Sequence, residues 1–468
     1  MSEKQVSEKQ VSICLQVIEK VIERYTMDQI EQKIIRIIDE KKDEIIAFGR
    51  DIYTHAELGY KEFRTSEKFN DFIKDRVSRL ETEIAITGSK AYINEDKKDN
   101  FSLALIGELD ALRIPNHKYA NPETQGAHCC GHHAQLAGVI GAAFALTDPE
   151  ISKALDGQLV FMTTPAEEYG EVAFKNTLVE AGKIRYGGGK CEMIRIGAFD
   201  DIDAALTHHI AMDGVSLGDG SGNGFVSKVI KIKGKGAHAA GAKEEGINAL
   251  YAANLGLQAL AFNKDTFYEK DCVRVHPIMT KGGDLVNVVP EEAVLETLVR
   301  GKTIEAFTDA AYKTDRSFKA GAEALGAGYR IETMPGYLPS IPQDVPQELL
   351  ALAKGAAGDK PVRQISKDSH SGGSTDLGDL EQLIPVLTFH TGGVTGSGLH
   401  ASDFDVVDED EAYVLTAKLF ALFAYRMLRD DAALAKSMKN NYKPRFANKE
   451  EYIELMETFY SVEEKEHE

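Results

Sequence analysis

From about residue 100 onward, short apolar runs alternate with segments of helical periodicity. The apolar runs cover residues 103–106, 159–162, 204–206 and 384–389. Each run is short enough to be a buried strand, and the alternation predicts an α/β fold with a mixed, mostly parallel sheet between helices. Polar residues follow each run directly. Because ligands bind at the carboxyl edge of such sheets, we expect side chains that are far apart in sequence to meet there.

A glycine-dense stretch, residues 218–224, interrupts this alternation. It lacks the Lys-Ser/Thr pair of a phosphate-binding loop, and a strand pattern rather than a helix follows it, which favours a linker. The next segments are strand-like at 227–233 and 294–300, with an amphipathic helix near 247–262. They predict a smaller α+β domain over residues 218–333, inserted into a larger domain made of residues 1–217 and 334–468.

The first 50 residues carry isoleucines at helical spacing among charged residues, which predicts helix. The N-terminus is polar and lacks the apolar core of a signal peptide. The longest apolar run, residues 134–146, is shorter than the ~20 residues that a membrane span needs. We therefore expect neither a secretory signal nor a membrane anchor.

The composition and charge of the chain limit the kinds of molecule that we expect it to bind. The chain has 468 residues, 43% of them hydrophobic, and a formal net charge of −20. Such a field repels nucleic acid and anionic lipid, so neither is an expected partner. Five cysteines without a disulfide-framework spacing fit a reducing, cytoplasmic compartment.

Residues 128–133, with the sequence His-Cys-Cys-Gly-His-His, are the densest group of metal-ligating side chains in the chain. Thiolate and imidazole suit borderline-soft metals such as zinc. Cys130 and His132 are separated by one glycine, so both can turn toward one ion. Taken singly, such a pair is more often a buried cysteine beside a surface histidine; the density of donors favours a metal site here.

Further donors follow the predicted strands. Glu167 and Glu168 come after one run, and adjacent acidic residues on an extended backbone point in different directions, so one can bind metal while the other handles a proton. His208 and His209 follow another run, and either could complete the site. His400 follows a glycine-rich segment. Alternatively, Glu167 and Glu168 could be a solvated pair on the surface, and His400 could have only a structural role.

Two polar residues lie inside the predicted small domain. His238 is flanked by small residues and could donate to developing negative charge, or could be an exposed loop histidine. Asn287 lies among apolar neighbours and could bind substrate or cap a turn. The chain has neither a Gly-x-Ser-x-Gly elbow after a strand nor a His-Glu-x-x-His helix.

Taken in order, these motifs resemble the aminoacylase and glutamate-carboxypeptidase family of metallohydrolases. The closest resemblance is to its amidohydrolase branch, which includes hippurate hydrolase, auxin-conjugate hydrolases and aminobenzoyl-glutamate hydrolase. The matching segments are His55–Gly59, Glu108–Leu112, His128–His132, Pro165–Glu168, Gly236–Ala239, Gly282–Pro290 and Ser374–Gly378. They span roughly residues 45 to 425, and their order makes the resemblance specific although each motif alone is weak.

The resemblance implies a large catalytic domain with an inserted lid domain, usually dimeric through the lid. It implies one or two divalent metal ions (zinc, manganese or nickel), Glu167 as general base, Asp110 orienting a ligand, and His238 reaching into the partner's active site of a homodimer. The implied metal ligands are Cys130, His132, Glu168, His209 and His400. Three departures leave alternatives open: Cys129 and His133 replace other residues of the family pattern, and His208 adjoins His209.

The expected function is therefore metal-dependent hydrolysis of the amide bond of a small N-acyl or N-aroyl amino acid or an aminobenzoyl-glutamate-like conjugate. Asn287 and Arg300 are expected to hold a substrate carboxylate, which a guanidinium can bind through two hydrogen bonds. The alternative enzymatic function is that of a metallo-dipeptidase or carboxypeptidase of the same fold. A metal-containing binding or scaffold protein without activity is the alternative of another class.

Overall fold

The computed structural model describes residues 27–467. The first 26 residues of the helix expected over residues 1–50 lie outside this range. The remainder forms α1 (Gln29–Glu40) and α2 (Lys42–Thr54). Asp28 caps the N-terminus of helix α1: its carboxylate accepts the Glu31 N–H, while the Glu31 carboxylate accepts the Asp28 N–H. This reciprocal cap satisfies two N–H groups that the helix itself leaves unpaired.

The larger sheet has eight strands. In chain order they are β1 (Arg79–Ile84), β2 (Gly88–Ile93), β3 (Ser102–Glu108), β6 (Gln158–Thr164), β7 (Ala204–Ile210), β8 (Val215–Leu217), β14 (Val362–Gln364) and β15 (Val386–Thr391). Their order across the sheet is β1-β2-β6-β3-β7-β15-β8-β14. Two short ladders lie outside it: β4 (Leu112–Arg113) with β5 (Gly126–Ala127), and β16 (Val394–Thr395) with β17 (Asp405–Val406).

Four adjacent strands, β6, β3, β7 and β15, run parallel at the centre of this sheet. They contain three of the four apolar runs identified from the sequence and residues 386–389 of the fourth, and nearly all their residues are buried. The parallel direction brings their carboxyl ends to one edge. The expected fold class, a mixed and mostly parallel sheet between helices with a second α+β unit, is confirmed.

Helices cover the sheet. Those of the larger part of the molecule are α1, α2, α3 (Phe63–Ile73), α4 (His132–Leu146), α5 (Pro149–Lys153), α6 (Val172–Glu180), α7 (Gly189–Arg195), α10 (Gln347–Ala356), α11 (Leu377–Leu380), α12 (Thr416–Asn441, preceded by a π-helical turn at Asp410–Leu415 and kinked at 429–432) and α13 (Lys449–Thr458). Every residue of α4 is buried, since α1, α2 and α12 pack around it against the sheet. A helix that is apolar on all sides requires such a central position.

The smaller sheet is antiparallel. Its strands are β9 (Gly224–Lys233), β10 (Arg274–Val275), β11 (Ile278–Lys281), β12 (Glu292–Gly301), β13 (Gly328–Pro335) and β18 (Ser461–Lys465). They have the order β10-β12-β9-β13-β18, with β11 added beside β12. Helices α8 (Ala249–Asn263) and α9 (Ile304–Glu323) pack against it. We call this sheet with its two helices the lid. Its last strand, β18, comes from the end of the described chain and pairs with β13, which the sequence analysis did not predict.

Among residues 27–467, no helix combines the length and the apolar character needed to cross a membrane.

Candidate metal centre

The residues expected to bind metal come together where the central parallel strands end. His209 is the penultimate residue of β7, and Glu167 and Glu168 follow β6 after a short turn. Cys130 and His132 flank Gly131, which precedes α4 with a φ of 96°. A Cβ atom at Gly131 would lie 2.5 Å from the Cβ of Ile210, so both the backbone conformation and the available space require glycine there.

Cys130 lies between two histidines. Its Sγ atom is 3.3 Å from Nε2 of His209 and 3.2 Å from Nε2 of His400. His400 Nε2 is also 3.1 Å from a carboxylate oxygen of Glu168. Two groups of donors therefore share the Cys130 thiol. One group adds His132 and His209, and the other adds Glu168 and His400. Within each group all donor atoms lie within 4.8 Å of one another.

His132 is oriented by Asp110. Its Nδ1 is 2.7 Å from the Asp110 carbonyl oxygen, and since a carbonyl oxygen only accepts, Nδ1 carries the proton. The Nε2 atom is therefore the ring nitrogen that can bind a cation. It is fully buried and has no hydrogen-bond partner among the described residues. A buried imidazole nitrogen without a partner, beside a thiol and a second imidazole, fits a divalent cation.

The residues that could replace a proposed ligand point elsewhere. His208 Nε2 is 2.8 Å from the Thr391 hydroxyl, and its ring packs on Phe389. The His133 ring stacks on Tyr53 with the ring centres 4.6 Å apart. Cys129 lies in the hydrophobic core. The geometry thus brings His209, not His208, to Cys130.

Glu167 lies beside this group with its carboxylate 3.9 Å from His132 Nε2. Its carbonyl oxygen accepts the Tyr337 hydroxyl, which fixes the backbone at this point. Burial, together with the neighbouring Glu108 and Glu168 carboxylates, raises the pKa of Glu167 well above its usual range. A bound cation would act in the opposite direction, because positive charge favours the ionised carboxylate.

A buried ionic network that the sequence does not reveal lies directly behind the candidate metal centre. Lys190 Nζ lies 2.6 Å from a carboxylate oxygen of Glu108 and 2.6 Å from one of Asp376, and Gln135 donates to Glu108 at 2.8 Å. Despite burial, Lys190 and His132 lower the pKa of Glu108 to about 2. The position of Glu108 at the end of β3 was the available signal. Nothing in the sequence pairs Lys190 with a residue 186 positions away.

The candidate metal centre opens into a cleft of about 450 Å³. Its wall includes Ser221 in the glycine-rich segment after β8, together with His370 and Ser374. Arg300, from lid strand β12, donates to the Ser374 hydroxyl at 2.8 Å and lies over the Phe225 ring. Arg300 thus lies at the edge of the cleft.

His238 and Asn287 are not brought to this cleft by their own chain. Both are exposed residues of the lid, where the main chain of Ala239 donates to the Asn287 carbonyl oxygen and His238 forms a bridge with Val288. Neither lines the cleft around Cys130 in the described part of the molecule. Their expected roles require a second copy of the chain.

Comparison with known proteins gives relatives of similar length. The chain is 25% identical over 398 residues to N-acetyl-L-cysteine deacetylase of Bacillus subtilis (strain 168), covering 83% of this chain and 88% of that protein. It is 25% identical over 386 residues to Xaa-Arg dipeptidase of Mus musculus, covering 77% and 79%. It is 23% identical over 332 residues to N-acyl-L-amino acid amidohydrolase of Geobacillus stearothermophilus, covering 67% and 82%.

Solved structures share the fold. A dinuclear metal-binding peptidase of the M20 family from Bacillus subtilis aligns with a TM-score of 0.57 at 24% identity, covering 82% of this chain and 98% of that chain. An aminobenzoyl-glutamate utilization protein from Klebsiella pneumoniae aligns with a TM-score of 0.59 at 18% identity, covering 84% and 98%. The model of peptidase family M20/M25/M40 matches residues 104–426. The chain therefore belongs to peptidase family M20/M25/M40, as the resemblance of its motifs indicated, and is a hydrolase that acts on amide bonds.

Proposed function

We propose that this hydrolase cleaves the amide bond of small N-acyl or N-aroyl amino acids, or of aminobenzoyl-glutamate-like conjugates, and releases the free amino acid. One observation carries the proposal: the Glu167 carboxylate lies next to two groups of metal donors that share the Cys130 thiol, at one end of a cleft. The named activities of the relatives support this substrate class, since two of the three reported above act on N-acyl amino acids.

Divalent cations bound by Cys130, His132, Glu168, His209 and His400 would supply Lewis acidity toward the scissile carbonyl and an attacking water. Glu167 takes the proton from the water and passes it to the leaving nitrogen, first as general base and then as general acid. Asp110 keeps Nδ1 of His132 protonated and directed away from the metal side. Burial of Glu167, Asp110 and His132 limits the access of bulk water to the proton transfer.

One or two ions fit the donor groups, because Cys130 is common to both. The thiol and the imidazoles favour zinc, while the Glu168 carboxylate also suits manganese; nickel is compatible with either group. Buried cysteines without a disulfide partner at Cys129, Cys130 and Cys191 are in keeping with the expected cytoplasmic compartment.

Arg300 is the proposed anchor of the substrate carboxylate. Its guanidinium lies close to Ser374 at the edge of the cleft, and no carboxylate within residues 27–467 lies at ion-pair distance from it. Burial lowers the pKa of Arg300, so an incoming carboxylate would compensate a desolvated positive charge. Asn287 would supply a neutral hydrogen bond to the same group from the partner subunit.

A homodimer through the lid is proposed because the lid exposes large apolar side chains. Val286 is 104% exposed and Leu285 is 65% exposed in the loop that carries Asn287, and Tyr251 of α8 is 63% exposed. A contiguous exposed apolar surface of this kind marks a contact site. Such a dimer would carry His238 and Asn287 toward the other subunit's cleft.

The direct test measures hydrolysis by zinc- and manganese-loaded protein of N-acetyl, N-benzoyl and aminobenzoyl-glutamate substrates and of dipeptides. Glu167→Gln should keep its metal and lose activity by about 10²–10⁴-fold. Glu171→Gln, which removes a nearby exposed carboxylate paired with Lys61, is the matched control and should leave turnover unchanged. Hydrolysis of dipeptides alone would favour the metallo-dipeptidase alternative, and full metal occupancy without hydrolysis of any substrate would favour the binding protein.

A further inference from the structure

A third group of donors shares His132 but not the thiol. Glu108 and Glu167 each direct a carboxylate oxygen toward Nε2 of His132, at 3.1 Å and 3.9 Å respectively. The donor atoms of all three residues lie within 4.8 Å of one another. Nδ1 of His132 donates to the Asp110 carbonyl oxygen, so Nε2 is the ring nitrogen that faces the Glu108 oxygen. An imidazole nitrogen and a carboxylate oxygen 3.1 Å apart need positive charge between them, which either a proton on Nε2 or a bound metal ion supplies.

Glu108 is fixed in this orientation by partners on its other side. Lys190 binds one carboxylate oxygen, and Gln135 donates to the other, which is the oxygen that faces His132. That second oxygen keeps one lone pair free, since a carboxylate oxygen can accept twice. Asp376 balances the charge of Lys190, so the ionised Glu108 carboxylate retains its attraction for a cation. Glu108, His132 and Lys190 are each no more than 2% exposed.

We propose that Glu108, His132 and Glu167 form a further cation position, separate from the two that share Cys130, and that its occupation inhibits the enzyme. Two carboxylates and one imidazole favour harder ions such as Mn²⁺, whereas a thiolate with two imidazoles favours Zn²⁺. His132 has one free nitrogen, so an ion in the oxygen-rich position removes it from the group with Cys130 and His209. The same ion engages the Glu167 carboxylate, which then accepts no proton.

The binding part of the inference is independent of catalysis, while the inhibitory part rests on the proposed function. Binding is measured by electron paramagnetic resonance of free Mn²⁺ during titration of metal-free protein. Cys130→Ala removes the donor common to both thiol-containing groups, so we expect this variant still to bind about one Mn²⁺ per chain. Adding Glu108→Gln, which keeps the shape and removes the charge, should weaken that binding at least tenfold.

The matched control is Glu381→Gln in the same Cys130→Ala background. Glu381 is a buried glutamate that lines the same cleft but belongs to none of the three donor groups, so Mn²⁺ binding should not change. No Mn²⁺ bound by Cys130→Ala, or equal effects of the two glutamate substitutions, would overturn the proposal. In that case Glu108 serves only as the ionic partner of His132 and Lys190.

Inhibition is tested on zinc-loaded wild-type protein with a hydrolysed substrate. Added Mn²⁺ should reduce turnover with the same concentration dependence as its binding to Cys130→Ala. For Glu108→Gln, the Mn²⁺ concentration that halves the variant's own uninhibited turnover should be at least tenfold higher than the corresponding concentration for wild type. This measurement also replaces the binding comparison if circular dichroism shows that the double variant does not fold. Zinc-loaded protein that hydrolyses no substrate would refute the proposed function but leave the Mn²⁺ binding result to be judged by itself.

Discussion

The Asp110 residue contacts both sides of the metal centre: its carbonyl oxygen lies 2.7 Å from Nδ1 of His132, and its carboxylate accepts the main-chain N–H of Glu168 at 2.9 Å. One residue thus fixes the ring orientation of one proposed ligand and the backbone of another. Partners of this kind commonly matter to metal affinity almost as much as the ligands themselves.

We expect Asp110→Asn to lower zinc affinity by about 10–100-fold. The Asp110 carboxylate accepts the Glu168 main-chain N–H, and the asparagine amide group can place its own N–H at that position, which would break this hydrogen bond. Competition with a chromogenic chelator measures the affinity. Asp201→Asn, which removes a partly exposed carboxylate paired with Lys90, provides the control. Equal zinc affinities of Asp110→Asn and wild type would show that the Asp110 carboxylate does not support the ligands.

The proposed dimer can be tested by mixing two inactive variants. His238→Ala lacks the group donated to the partner, and Glu167→Gln lacks the base of its own site. A mixed dimer contains one site with Glu167 and the other subunit's His238, so equal mixing after dissociation should restore about a quarter of wild-type activity. Activity that stays at the sum of the separate variants would place His238 outside the partner's site. Different affinity tags on the two variants, with purification through both tags in turn, confirm that mixed dimers have formed.

Removal of the Arg300 guanidinium should affect substrate binding more than turnover. For Arg300→Met we expect KM to rise for a substrate with a free carboxylate and to change little for the corresponding carboxamide, because only the former forms a charge-assisted hydrogen bond. Lys302→Met removes a nearby lid cation and is the comparison variant. If KM rises equally for both substrates, Arg300 supports the cleft wall through Ser374 instead of binding substrate.

Buried Glu62 should make stability depend on pH. Burial, followed by the charge of Asp110, raises the pKa of Glu62 from 4.5 to about 7. A carboxyl group with a raised pKa binds its proton more tightly in the folded state. Its contribution to the free energy of unfolding is therefore fully present below pH 4.5 and is lost as the pH rises through 7.

Glu62→Gln removes this titration. Compared with wild type, the free energy of unfolding of the variant should rise between about pH 5 and pH 8.5, on top of any constant difference from the changed hydrogen bonds to Thr87 and Ala166. Urea unfolding of zinc-loaded protein at the two pH values measures the difference. A difference that does not vary with pH would show that Glu62 is ionised in the folded protein throughout this range.

The alternation of apolar runs and polar residues was sufficient to predict the central strands and the edge where the site forms. Burial on both faces makes such strands continuous apolar runs, and parallel pairing makes their ends coincide. The alternation of side chains along a strand also explains why His208 and His209 separate, one toward Phe389 and the other toward Cys130. These properties are local, so they can be predicted from short segments.

Other features depend on pairing between distant segments and could not be predicted. Lys190 meets Glu108 and Asp376 only after the chain folds, and a lone lysine in a glycine-rich stretch gives no sign of burial. Strand β18 is exposed along its whole length and rich in charge, which does not distinguish it from a solvated tail. Its alignment with β13 is stabilised by the ion pair of Arg330 with Glu464, and Lys233 of β9 and Lys319 of α9 also form ion pairs with β18.

Strand β18 pairs with β13 and is joined by the chain to α13, so the lid has a third chain connection in addition to the two crossings that enter β9 and leave β13. A body joined through two neighbouring crossings can swing about the line between them, whereas a third attachment away from that line restricts the swing. Rotation of the lid must therefore be absorbed by the short connection between α13 and β18, where Phe459 packs against Phe307 of α9. Strand β18 thereby limits how far the lid can turn against the rest of the described molecule.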